Sequence, residues 1–156
     1  MHYEDLTEYK YSAFPEKLKA SRGLSDNVTF LNIGWLSGSY PFTTGHVSDD
    51  FLHKVFRLCR NAENMFRGFH MCDVCPEIVA VPSEKSEGGI THVNRRYNLI
   101  RTCEIYKGET LWLGAKEICV AHKDIAYIAP DMICHYIRNH SYLPPNGFIE
   151  AVLSHE

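Results

Sequence analysis

The sequence predicts an α+β fold in which an antiparallel β-sheet packs against helices. Three observations support this class. A segment with helical periodicity follows Ser48, a run of short β-like segments follows Tyr97, and a second helical pattern begins at Pro130. We therefore expect a β-meander of three or four strands between two helical regions.

The chain has the size and composition of one ordinary domain. Its 156 residues and 45% hydrophobic content suffice for a real core. Residues 1–26 are rich in tyrosine and charge without a clean period, so we predict a loosely structured or peripheral segment there. A single zinc-binding domain is expected over residues 27–156.

Net charge and the N-terminal sequence restrict the class of protein. The formal charge of −3 offers no general attraction to nucleic acid or to an anionic membrane. The first ten residues lack the basic and apolar regions of a secretory signal, and no apolar run approaches about 18 residues. These features predict a cytoplasmic protein that binds neither nucleic acid nor membrane.

The first half of the chain contains one predicted strand and one predicted helix. The β-branched and aromatic run NVTFLNIGWL indicates a buried strand near 28–36. After a turn-rich segment, Ser48 can cap a helix with two aspartates in its first turn. Apolar residues then repeat at helical spacing: Phe51, Leu52, Val55, Phe56 and Cys59.

The second half is predicted to be mainly β-structure followed by two helices. A short strand is expected at 77–81 and a flexible polar loop at 83–89. The meander then comprises YNLIRTCEIY, ETLWLG, AKEICV and IAYIA. A helix is predicted to begin at Pro130 and Asp131, and prolines 144 and 145 prevent its continuation. The segment GFIEAVL is predicted to form a last short helix.

Six cysteines occur in a chain without an export signal, which favours free thiols and metal ligands over disulfides. Cys72 and Cys75 have the spacing at which two thiolates reach one tetrahedral ion from a tight turn, and zinc is the usual occupant of such soft ligands. The other four cysteines are expected to be unpaired and buried.

The remaining ligands must come from histidines. The predicted third helix offers His135 and His140, whose spacing falls within the range of structural zinc sites. In a regular helix, however, these two side chains point about 140° apart. His70 is the reserve ligand, because in an extended segment it lies on the same side as Cys72. Five candidates thus compete for four positions.

Other interpretations of the cysteine pair are a redox pair and two cysteines buried by chance. Redox motifs of the thioredoxin type precede a helix, whereas Pro76 and a predicted strand follow this pair. A catalytic zinc would need an open position and a carboxylate base, for which Glu77 and Asp73 are the nearby candidates. Four protein ligands instead predict a structural zinc.

Several stretches resemble an uncharacterised bacterial domain family, with matching order and spacing. The resemblance leaves out residues 1–26 and implies no activity. It marks the same five cysteines and histidines as the positions of any family metal site. The stretches are GWL at 34–36, PFTTGHV at 41–47, RGFHMCDVC at 67–75, GAKEICV at 114–120, APDMICHY at 129–136 and HSYLPPNGFIEAV at 140–152.

Without a recognisable catalytic motif, the leading hypothesis is a non-catalytic cytosolic protein that binds another protein. Small size and mild acidity suggest, as one specific form, an immunity protein that neutralises a toxin domain. The alternative from another class is a zinc-dependent hydrolase.

Overall fold

The computed structural model describes residues 1–66, 68–75, 90–94 and 99–156, and for 90–94 and 99–101 it describes the backbone alone. Helices and strands both contribute, which confirms the predicted α+β class. In chain order the elements are α1 (Phe14–Arg22), β1 (Thr29–Asn32), α2 (Asp49–Arg60), β2 (Ile90–Asn94), β3 (Leu99–Tyr106), β4 (Glu109–Trp112), β5 (Glu117–His122), β6 (Ile125–Pro130), α3 (Ile133–His140) and α4 (Asn146–Ser154).

Helix α2 begins where its sequence predicts. The Ser48 hydroxyl accepts a hydrogen bond from the backbone N–H of Phe51, and two aspartates occupy the first turn. The hydroxyl satisfies a backbone N–H of the first turn, and the aspartates neutralise the partial positive charge of the helix N-terminus. The buried face of the helix carries Phe51, Val55, Phe56 and Cys59, as the apolar spacing predicted.

The strands form two separate three-stranded sheets. In the first, β6 pairs in parallel with β1 and antiparallel with β5. In the second, β3 pairs antiparallel with β2 and β4. The prediction of one continuous antiparallel meander was therefore wrong in its connectivity.

The break between the sheets occurs at the segment that follows β4. Gly114 adopts a φ of 94°, a left-handed conformation that favours glycine. Its carbonyl accepts a hydrogen bond from the His70 N–H, and the Ala115 carbonyl accepts one from the Phe66 N–H. The segment therefore pairs with the loop before the cysteines, and the chain turns away from β4.

The core lies on both faces of the β1–β6–β5 sheet. Side chains alternate along β6, so that Tyr127 and Ala129 join the cluster formed with α2, α3 and α4. Ala126 and Ile128 face the other way and join a second cluster beneath α1. Helices α2 and α4 contact β5 of this sheet, and α3 packs against α2.

Residues 1–26 contain a helix that the sequence analysis did not predict. Pro15 lies in the first turn of α1, and Gly23 ends the helix with a φ of 63°. Phe14 and Leu18 are buried, one turn apart, against the first sheet. Only these two positions are apolar and buried in a short charged helix, which explains why no clear period was visible. The domain boundary at residue 26 stays a prediction.

Two predicted elements lie outside the described residues, namely the strand at 77–81 and the loop at 83–89. Among the helices that the structure describes, none is long and apolar enough to cross a membrane.

Candidate metal centre

Cys72, Cys75, His135 and His140 converge at one point. Their ligand atoms all lie within 4.8 Å of one another. Nε2 of His140 lies 3.3 Å from Sγ of Cys72 and 3.4 Å from Sγ of Cys75. Nε2 of His135 lies 3.3 Å from Sγ of Cys75 and 3.3 Å from Nε2 of His140.

These separations suit a tetrahedral ion. With bonds of about 2.3 Å to sulfur and about 2.0–2.1 Å to nitrogen, neighbouring ligand atoms of a tetrahedral zinc are about 3.3–3.8 Å apart. The four separations given above, 3.3–3.4 Å, lie at the short end of this range. Two sulfurs and two imidazole nitrogens are also a donor set that zinc accepts. The four residues therefore form a candidate metal site.

The end of α3 brings together two histidines that a regular helix would separate. His140 is the last residue of the helix, and Ser141 follows with a left-handed φ of 53°. The Ser141 N–H bonds to the carbonyl of Tyr136, five residues earlier, so the last turn is wider than a regular α-turn. A wider turn reduces the angle between residues five apart, and both Nε2 atoms reach the same point.

The turn that carries the cysteines is attached to two neighbouring segments. The Cys72 N–H donates to the Thr102 hydroxyl on β3, at 3.2 Å. The Asp73 carboxylate accepts hydrogen bonds from the Ser37 hydroxyl at 3.0 Å and from the Gly38 N–H at 3.1 Å. These bonds hold the turn beside α3 through contacts that do not involve the ligand atoms.

Glu104 supports the site from β3, a role that was not predicted from the sequence. Its carboxylate oxygen lies 2.7 Å from Nδ1 of His135, and both side chains are fully buried. The same carboxylate accepts hydrogen bonds from Arg138 and Asn139 on α3. Metal-binding histidines generally donate their second ring N–H to such an acceptor, which leaves the first nitrogen free for the metal. In the sequence, the position of this glutamate between the apolar residues Cys103 and Ile105 was the signal that could have indicated its role.

Burial determines the protonation of the ligands in the metal-free protein. It raises the pKa of the Cys72 thiol to about 12, with a further contribution from Cys75. It raises the pKa of Cys75 as well. Burial, together with the nearby His135, lowers the pKa of His140. Without a metal the site therefore favours neutral thiols and a neutral His140, and a metal must displace the thiol protons.

His70 lies outside the cluster, although the sequence named it as the reserve ligand. Its backbone N–H bonds to the Gly114 carbonyl at 2.7 Å, and its side chain lines a cavity shared with Trp35 and Tyr136. Burial lowers the pKa of this imidazole. His140, and not His70, thus completes the group of four.

The other four cysteines are buried and form no disulfide with a described residue, as predicted: Cys59, Cys103, Cys119 and Cys134.

Comparisons with known proteins give a family without an assigned activity. The family model described as "Domain of unknown function (DUF7919)" matches residues 1–153, which includes the N-terminal helix. No curated protein and no solved structure matches the chain significantly.

Proposed function

The chain belongs to the DUF7919 family, and we propose that it is a non-catalytic binding protein whose fold is stabilised by one structural zinc. The zinc joins the 72–75 turn to α3, and the domain acts by binding another protein. The observation that carries the zinc assignment is the convergence of two thiols and two imidazoles, one of them oriented by buried Glu104.

The number of ligands supports a structural role over a catalytic one. Four protein ligands fill a tetrahedral shell and leave no position for an activated water. A hydrolase would also need a carboxylate base beside the ion. Asp73 is instead bonded to Ser37 and Gly38, and Glu77 lies outside the described residues.

Closing a long loop with a metal stabilises the fold. The two cysteines and two histidines are separated by 60 to 68 positions. A bond across this distance limits the conformations of the unfolded chain, and zinc binding contributes about 10–16 kcal/mol in small peptide hosts.

The support for protein binding is an apolar groove on the surface. Trp112, Met65 and Phe69 line it with exposed fractions of 44%, 69% and 41%. We call this surface the Trp112 groove. Tryptophan, methionine and phenylalanine are enriched where proteins contact each other, and so is arginine, which the groove contains as Arg60. The specific partner that we propose is a toxin domain, which this chain would neutralise as an immunity protein does. The small size and mild acidity of the chain support this choice.

The zinc site and the protein-binding activity are tested by separate experiments. X-ray absorption spectroscopy of the purified protein is expected to show zinc with two sulfur and two nitrogen ligands. Three protein ligands and a water would favour the hydrolase instead.

Partner binding is tested with a substitution in the groove. Cross-linking in the native host should capture a protein with the wild-type chain and lose it with Trp112→Ala. Tyr40→Ala is the matched control, since Tyr40 is an exposed aromatic residue that does not line the groove. Equal capture by both variants would reject the groove and leave the zinc assignment intact.

A further inference from the structure

A small basic pocket of about 160 Å³ lies between helix α2 and the turn that joins β3 to β4. Its volume is below the range of ordinary small-molecule sites, which is about 300–1,000 Å³. The pocket therefore has room for one functional group of a ligand. The charged and imidazole-bearing residues that line it are His53, Arg57, Arg60, Lys107 and Glu109.

The spacing along α2 places three of these residues on one face of the helix. His53 and Arg57 are four positions apart, and Arg57 and Arg60 are three positions apart. At 100° per residue, the three side chains leave the helix within an arc of about 60°. Like charges at this spacing repel each other and destabilise a helix, and an anion between them would remove that repulsion.

Lys107 adds a positive charge from the opposite wall of the pocket. It belongs to the two-residue turn between β3 and β4, and its Nζ lies 3.3 Å from Nδ1 of His53. The Tyr106 hydroxyl lies 3.3 Å from the same nitrogen. The end of the hairpin therefore meets α2 at His53, and cations face the pocket from two different elements.

The balance of charges favours a doubly charged anion. Among the described residues that line the pocket, Glu109 is the one carboxylate, and it already accepts a hydrogen bond from Arg60 at 3.2 Å. Arg57 and Lys107 pair with no carboxylate in the described part of the chain. One dianion would balance these two charges, whereas a carboxylate would balance one. A phosphate group carries about −1.5 to −2 charges at neutral pH and forms charge-assisted hydrogen bonds with such cations.

The end of the helix accounts for only part of this cluster. Arg57 and Arg60 lie in the last turn of α2, where cations interact favourably with the helix dipole. Lys107 lies outside the helix and contacts it at His53, in the middle of α2, so the dipole does not explain its position.

We infer that this pocket binds a doubly charged phosphate group, either as free phosphate or as the terminal group of a phosphate monoester. Arg57 and Lys107 hold it from opposite walls. The pocket is distinct from the metal centre and adjoins the Trp112 groove, since Arg60 and Leu111 line both. The inference does not depend on the proposed protein-binding function, because phosphate binding is measured without a protein partner.

Inorganic phosphate, methyl phosphate and acetate serve as probes. Each is titrated into the zinc-loaded, ¹⁵N-labelled protein at about pH 8 and constant ionic strength, and NMR follows the backbone amide signals of Lys107 and Gly108. Phosphate should move both signals, and singly charged acetate should bind at least about tenfold more weakly. Binding of inorganic phosphate alone would identify the free ion as the ligand. Methyl phosphate that binds as tightly or more tightly would identify the terminal group of a monoester.

Substitutions test the two cations without counter-ions. Arg57→Gln and Lys107→Gln should each weaken phosphate binding about tenfold, the effect of one charge-assisted hydrogen bond. Both side chains are exposed, so the melting temperature should not change. Lys123→Gln is the matched control. Lys123 lies in the turn between β5 and β6 with a φ of 55°, close to the 48° of Lys107, but it does not line the pocket, and its loss should leave the affinity unchanged.

Glu109→Gln should change the affinity in the opposite direction. It removes the negative charge from the lining and releases Arg60, so phosphate should bind a few-fold more tightly. The inference is overturned if neither phosphate compound moves the signals of Lys107 and Gly108, or if acetate binds as tightly as phosphate. It is also overturned if Lys123→Gln weakens binding as much as Lys107→Gln does, or if Glu109→Gln weakens it.

Discussion

His135 and Glu104 form a fully buried pair in which Nδ1 of the imidazole lies 2.7 Å from a carboxylate oxygen. The pair joins α3 to β3, the central strand of the second sheet. With Nδ1–H donating to the carboxylate, the lone pair of Nε2 faces Cys75 and His140. The pair therefore fixes the tautomer of His135 that can bind a metal.

The first prediction is that Glu104→Gln lowers zinc affinity by about 10- to 100-fold, the range measured when such an orienting partner is removed. Competition with a chromophoric chelator measures the change. Glu109→Gln is the control, because Glu109 is half-exposed and pairs with Arg60 away from the site. Equal affinities in the two variants would contradict the orienting role.

The second prediction concerns metal content. Protein purified without chelator should carry close to one zinc per chain, and Cys72→Ser or Cys75→Ser should lose it, since thiolates provide the strongest bonds of the set. Elemental analysis gives the ratio. Cys119→Ala removes a buried thiol that lies outside the cluster and should retain the zinc. A wild-type protein without any transition metal would refute the zinc assignment.

The third prediction is that chelation loosens α3 before it affects the first sheet. The zinc is the proposed link between the 72–75 turn and the helix, whereas the pairing of β5 with β6 does not involve it. Hydrogen exchange should show lost protection across Ile133–His140 and retained protection across Ile125–Pro130. Chelation should also lower the melting temperature, by about 2–4 °C for each kcal/mol of stability that is lost. Equal protection with and without chelator would exclude a structural role.

The fourth prediction is that zinc binding releases about two protons. Burial raises the pKa of the Cys72 thiol to about 12 and also raises that of Cys75, so both are protonated at neutral pH in the metal-free protein. Each must lose its proton to bind. Affinity should therefore rise with pH, by about 100-fold per pH unit near neutrality. A pH indicator in weakly buffered solution counts the protons, and a value near zero would show that the thiols do not bind.

The sequence was sufficient for the features that depend on local spacing. The cap at Ser48 and the apolar period after it predicted α2, and the spacings of the cysteines and histidines gave the candidate ligands. Features that depend on contacts between distant segments were not predictable. Glu104 is visible in the sequence, but its approach to His135 requires β3 to lie against α3. The parallel pairing of β1 with β6 likewise joins residues that are far apart in sequence.

The choice between His70 and His140 shows the same limit. A regular helix places His135 and His140 on different sides, whereas in this helix, which ends in a wide turn at Ser141, their Nε2 atoms lie 3.3 Å apart. That turn results from a backbone conformation that a serine does not usually adopt, so the residue type gave no indication of it.

The last prediction concerns Glu117, which is buried away from the metal centre. The Tyr9 hydroxyl and the Asn64 amide each donate to its carboxylate at 2.6 Å. Its pKa is nevertheless raised, chiefly by burial and also by the nearby Asp131 carboxylate. The folded state therefore binds the Glu117 proton more tightly than the unfolded state does. The resulting stabilisation is complete below the unfolded pKa of about 4.3 and is lost as the pH rises through the folded pKa.

Glu117→Gln should remove this contribution, because glutamine has nearly the same shape but does not titrate, and its oxygen can still accept from Tyr9. Urea unfolding of wild type and variant at several pH values between about 4 and 7 measures the effect. Loss of zinc at low pH affects both proteins alike, so the difference between their free energies of unfolding isolates Glu117. That difference should shift in favour of the variant as the pH rises. A difference that does not change with pH would show that Glu117 has the same pKa in the folded and unfolded states.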